Sequence, residues 1–275
     1  MGLTRNLDKA REAYRAGDVA AAREAHQGAD VGAGGGRAEE RHQQAQGRHL
    51  KSAVYGGLDG IITTFAVVAG VAGASLDAGI VLIMGLANLV GDGLSMAIGD
   101  YLGTKSEQEY ARTERRREEW EVQHFPEGEK RELVEIYEAK GVAPEDAQAM
   151  VDRLAKYPKA WLDVMMTEEL GILEDHESPI HGAGVTFCSF MLFGFIPVAA
   201  YVAARVVPMI GRHTLLIATI MTAATLFGLG ALKSKITRRH WLISGLEMLL
   251  VGGLAAGAAY GIGVALSGLV PGHGG

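Results

Sequence analysis

Seven residues in the middle of the chain have the types and spacing of a metal-binding set: Glu118, Glu121, Glu129, Glu132, Met165, Met166 and Glu169. Glu118 and Glu121 are three apart, as are Glu129 and Glu132, so each pair projects from one side of a helix. His124-Phe125-Pro126 lies between the pairs and would fold one onto the other. Gathered carboxylates repel unless a cation sits between them, which suggests a divalent metal. Thioethers have little use for Ca²⁺ or Mg²⁺ and shift the preference toward first-row transition metals. A second set lies in apolar sequence. Asp59 is the sole charge in AVYGGLDGIITTFAVVAGVAG. Asn88, Asp92, Met96 and Asp100 recur every fourth residue, forming one stripe of a helix. Ionisable groups at membrane depth are costly and mark ion or proton paths. Asp100 reads instead as a polar helix end in the headgroup layer. Gly91, Ser95, Gly99 and Gly103 form a neighbouring stripe of small residues, which lets another helix approach closely.

These residues need membrane helices and a polar module to position them. Five apolar segments, about 52–75, 79–103, 182–204, 213–232 and 242–268, approach or exceed the roughly 20 residues that cross a bilayer. The predicted fold is therefore all-α and multi-pass, with a helical metal-binding insert between the second and third spans. Residues 1–50 are expected to be a polar N-terminal tail, partly disordered, with short helices around Gly17-Asp18 and a glycine-rich linker at 28–36. Residues 51–104 hold two spans, 179–268 hold three, and 269–275 are a short tail. Residues 105–178 contain 20 acidic and 11 basic side chains and are mostly helical. Pro126 and Pro144 each open a helix, the latter running to about Tyr157, and a last helix is expected over 160–173. Arg48 and Lys51 precede the first span, and Lys233, Lys235, Arg238 and Arg239 lie between the fourth and fifth. The positive-inside rule places these flanks, the N-terminus and residues 105–178 in the cytosol. Arg205 and Arg212 run against it. No apolar leader opens the sequence, so no cleavable signal is expected. A single cysteine, Cys188, allows no disulfide framework or thiolate site.

The runs YGGLDGIITTFAVVAGVAGA, LSMAIGDYLGTKSEQEYARTERRREEWEV and GLEMLLVGGLAAGAAYGIG closely resemble the vacuolar iron transporter family. The resemblance covers about 50–268 and implies a homodimer in the lipid bilayer that exports cytosolic Fe²⁺, and Mn²⁺, in exchange for protons. It implies that Asp59 and Met96 form the membrane metal site. It also implies that Glu118, Glu121, Glu129, Glu132, Met165, Met166 and Glu169 bind metal in the cytosolic module. Asn88 stands where the plant-like pattern has a glutamate. Asparagine cannot titrate, and Asp92 one turn later is the candidate substitute. The membrane would be vacuolar in a eukaryote and the plasma (inner) membrane in a bacterium.

A competing reading is a membrane-tethered diiron ferroxidase, from the Glu-x-x-His pairs Glu39/His42 and Glu121/His124. Phosphate-loop and nucleophile-elbow motifs are absent, so the chain reads as a secondary transporter, not an enzyme, with metal as substrate and no catalytic cofactor. Nothing points to nucleic acid. Among lesser features, Glu247 is an interfacial partner for Arg238 or Arg239, or a path residue. Cys188 reads as a packing residue, and His176 and His181 bracket the entry to the third span. Pro197 is expected to kink that span, and Gly253, Gly257 and Gly261 to mark a packing face on the fifth.

Overall fold

The computed structural model describes residues 12–14, 16–21, 24, 35–173, 178–211, 213–237 and 239–269. His176, Arg212, Arg238, most of the 28–36 linker and parts of the two short N-terminal helices lie outside them. Among the described residues every regular element is helical: α1 (Gly35–Gly73), α2 (Ala78–His124), α3 (Pro126–Ala139), α4 (Pro144–Leu154), α5 (Pro158–Glu168), α6 (Pro179–Val206), α7 (Pro208–Gly211), α8 (Thr214–Thr237) and α9 (Trp241–Leu266). Five of these, α1, α2, α6, α8 and α9, contain a stretch long and apolar enough to cross a membrane. The polar segment 37–50, expected as partly disordered tail, is instead helix continuous with the first span. It holds no proline, and its Ala, Glu, Gln and Arg residues are good helix formers.

Two compact units divide the chain, one of residues 1–94 with 185–275 and one of residues 95–184. The first has a core of Phe65, Val68 and Val71 of α1, Val81 of α2, Ala200 and Tyr201 of α6, and Ala218 of α8. Its helices meet where side chains are absent. A Cβ at Gly56 would stand 2.7 Å from the Thr186 carbonyl oxygen, and one at Gly60 would stand 2.5 Å from that of Phe190. These glycines bracket Asp59, so α6 lies backbone to backbone against the turn that carries it. On α2 the buried line is Val81, Gly85, Leu89 and Gly93, and Asn88 and Asp92 flank it half-buried.

Two small-residue stripes face elsewhere than expected. Gly253, Gly257 and Gly261 are exposed with open space beyond them, while Gly252 and Gly263 are the buried glycines of that stretch of α9. A Cβ at Gly263 would collide with the Gly70 carbonyl oxygen of α1, so that glycine sets the α1–α9 contact. Gly91, Gly99 and Gly103 likewise have nothing beside them, and Ser95 is exposed. Cys188 is exposed, correcting its reading as a packing residue. It falls on the outer face of α6, between the buried Thr186 and Phe190. Among the described residues Glu247 pairs with Lys233 of α8 at 3.9 Å. The helix continues through Pro197.

Candidate metal centre

At 47 residues α2 is about 70 Å long, roughly twice the hydrocarbon thickness of a bilayer. Its apolar half ends near Gly103. Beyond that point Lys, Glu, Gln, Arg and Ala continue the helix without a breaker to His124. Phe125, at φ −130° and ψ 46°, leaves the helix, and Pro126 starts α3 at a position where its missing N–H costs nothing. Pro144 and Pro158 start α4 and α5 in the same way. The last helix of this unit thus begins at Pro158 rather than 160. It ends at Glu168 rather than 173, ahead of Gly171, whose φ of +65° no helix accommodates. Similarly α4 stops at Leu154 in a turn that reaches Tyr157.

These turns pack α2, α3, α4 and α5 around Val122, Leu133, Val134, Ala147, Val151, Trp161 and Met165. Arg115 pairs with Asp163 at 2.6 Å, tying α2 to α5, and Lys140 pairs with Glu168. At the edge of this core the predicted carboxylates converge. Glu118, Glu121 and Glu129 offer oxygens all within 4.8 Å of one another, and so do Glu129, Glu132 and Glu169. Glu129 belongs to both groups. Glu118 is 0% exposed and Glu129 6%, whereas Glu132 and Glu169 are open to solvent. Met165 and Met166 are buried, Met165 within the apolar core.

Neither oxygen of Glu118 has a hydrogen-bond donor, and Oε2 of Glu129 has none either. Ionised carboxylates only accept, so these two cannot satisfy one another unless one keeps a proton. Burial, then sharing of that proton with Glu129, then the charges of Glu169, Glu129 and Glu121 push the Glu118 carboxyl up to about 8. Burial also raises Glu129 and Glu169, with help from Glu132. Buried, unpaired charge of this kind is expensive, and a cation relieves it directly. Arg117, which the sequence reading did not single out, lies at the margin of the group. Its guanidinium is 3.1 Å from Glu114 and 3.9 Å from both Glu118 and Glu121. The spacing to Glu114 and Glu121 was legible, but it is also that of ordinary helix-surface pairs.

His124 does not join the carboxylates. It stacks on Trp120 at 4.5 Å, and its Nδ1 lies 2.8 Å from the Trp120 carbonyl oxygen. Glu121/His124 therefore does not form the chelating pair that a ferroxidase centre needs, and nothing supports that reading. His181 is exposed at the start of α6. In the first unit Asp59 of α1 and Asp92 of α2 are each half-buried. The Asn88 amide nitrogen is buried without a partner. Met96 and Asp100 follow Asp92 along α2, each half-buried.

Residues 50–264 match the family model described as the VIT family. The chain belongs to that family. Members of the VIT family similar to it include the "Vacuolar iron transporter" of Toxoplasma gondii, 40% identical over 265 residues, which covers 94% of this chain and 88% of that protein. The Plasmodium falciparum protein of the same name is 35% identical over 270 residues, 96% of this chain and 97% of its own length. "Vacuolar iron transporter 1" of Oryza sativa is 32% identical over 224 residues, 81% and 87% of the two chains. Membership in the VIT family makes this five-helix membrane protein a metal transporter rather than an enzyme.

Proposed function

We propose that this protein carries Fe²⁺, and Mn²⁺ as a second substrate, out of the cytosol in exchange for protons. The observation that carries the reading is the fully buried, donor-less Glu118 carboxylate among Glu121 and Glu129. A divalent cation removes its cost more completely than any side chain nearby. On this reading Glu118, Glu121, Glu129, Glu132, Met165, Met166 and Glu169 gather metal from the cytosol, and Asp59, Asn88, Asp92 and Met96 line the way across. The Lys and Arg flanks put the N-terminus and the acidic module in the cytosol. The names of the relatives favour a vacuolar-type membrane. A homodimer fits the outward small-residue stripes of α2 and α9, whose glycines have nothing beside them among the described residues.

Exchange follows from the Asp59–Asp92 pair. Two nearby carboxylates at membrane depth are stabilised by one divalent ion or by protons, and the two occupants exclude each other. Protons arriving from an acidic compartment would then displace metal into it. The test is uptake into proteoliposomes with and without an imposed pH gradient. Fe²⁺ and Mn²⁺ should accumulate against the proton flow, and Asp59→Asn should abolish accumulation while the protein still inserts. Full, gradient-driven uptake by Asp59→Asn would overturn the exchange mechanism.

A further inference from the structure

We infer that Arg117 is a tethered counter-cation for the acidic cluster, held in its field by Glu114 while no metal is bound and driven off the cluster, with Glu114 as its remaining partner, when metal loads. The inference rests on the metal-centre reading above. The Arg117 guanidinium touches the cluster from outside, 3.9 Å from the Glu118 and Glu121 carboxylates, too far for a hydrogen bond to either. Its closest partner is Glu114 at 3.1 Å, one turn earlier and outside both three-glutamate groups. Glu118 is completely buried and takes no donor from Arg117, so the guanidinium acts on the charge of the cluster from outside it. The Arg117 side chain is itself 49% exposed, hence free to swing on its long stem.

A divalent ion among Glu118, Glu121 and Glu129 places two positive charges close to that guanidinium. Like charges at this range repel, and Glu114, already at 3.1 Å, keeps the guanidinium paired as it leaves the other two carboxylates. Arg117 therefore competes with the substrate and raises the free-metal concentration at which the module fills. An ordinary surface pair would have a different signature. It would add slightly to helix stability and leave metal affinity alone.

The experiment is calorimetric titration of Mn²⁺ into the purified full-length protein in detergent. At low ionic strength Arg117→Gln and Arg117→Met should bind on the order of tenfold more tightly than wild type, with the gap closing at high salt. Arg117→Lys keeps the charge and should stay near wild type. Glu114→Gln should weaken binding about threefold by leaving Arg117 no acidic partner outside the cluster, and should lose that effect when combined with Arg117→Gln. Equal or weaker binding by both neutral Arg117 variants would overturn the inference, as would an unchanged Glu114→Gln effect in the double variant. Wild-type binding no stronger than that of the Glu118→Ala/Glu129→Ala variant would overturn the metal-centre reading itself, and the inference with it.

Discussion

Glu118 shows how a single side chain sets the chemistry of its surroundings. In an unfolded chain its carboxyl would titrate near 4.5; in the folded apo protein it holds its proton to about 8. Below the lower value both states are protonated and the residue contributes no pH dependence. Between the two values the folded state binds more protons, so stability falls as pH rises. Above about 8 the full cost of the buried charge is present. The apo protein should therefore melt at a lower temperature at pH 8 than at pH 5, and a divalent transition metal should restore the loss at the higher pH. Glu118→Gln should flatten the dependence and remove the metal's effect. Melting curves followed by tryptophan fluorescence in detergent would check both; an unchanged slope in Glu118→Gln would assign the dependence to other groups.

At the scale of elements, close helix approach decides which glycines matter. Gly263 lets α9 meet α1 at the Gly70 carbonyl, whereas Gly257 opens on empty space beside α9. Gly263→Ala must push two backbones apart, an overpacking cost of about 1–3 kcal/mol. Gly257→Ala gains helix propensity, up to about 1 kcal/mol, with no clash inside the chain. Thermal inactivation of the two purified variants should bracket the wild type, with Gly263→Ala the less stable. The same logic explains the module. Prolines at the first position of α3, α4 and α5 fix where each helix begins, and the break at Phe125 between α2 and α3 brings Glu118 and Glu129 together.

For the whole molecule, orientation is the property that transport depends on. On the proposed orientation the α1–α2 loop lies on the side opposite the N-terminus. Arg205, which runs against the rule, is not isolated: its guanidinium lies beside Gly79, where Asp77 caps the start of α2. In a Cys188→Ser background, Ser75→Cys should be labelled by an impermeant thiol reagent only from the far side. Ser106→Cys should be labelled only from the cytosolic side. The reverse pattern would invert the proposed direction of transport.

The sequence by itself determined the five membrane helices, the proline-opened starts of α3 and α4 and the donor types at 118–169, because hydropathy, backbone restriction and donor chemistry are local properties. It also marked Asp59, a lone charge in its span. It could not say which face of a helix is covered. Val81, Leu89 and Gly93 became the inner line of α2 because α1 and α6 pack there, and the outward glycines of α9 were indistinguishable from Gly252 and Gly263 by composition. Nor could spacing separate the buried Glu118 from the half-exposed Glu121, or mark Arg117 as their neighbour. Burial and charge proximity depend on partners many residues away, and only the folded chain brings them within reach.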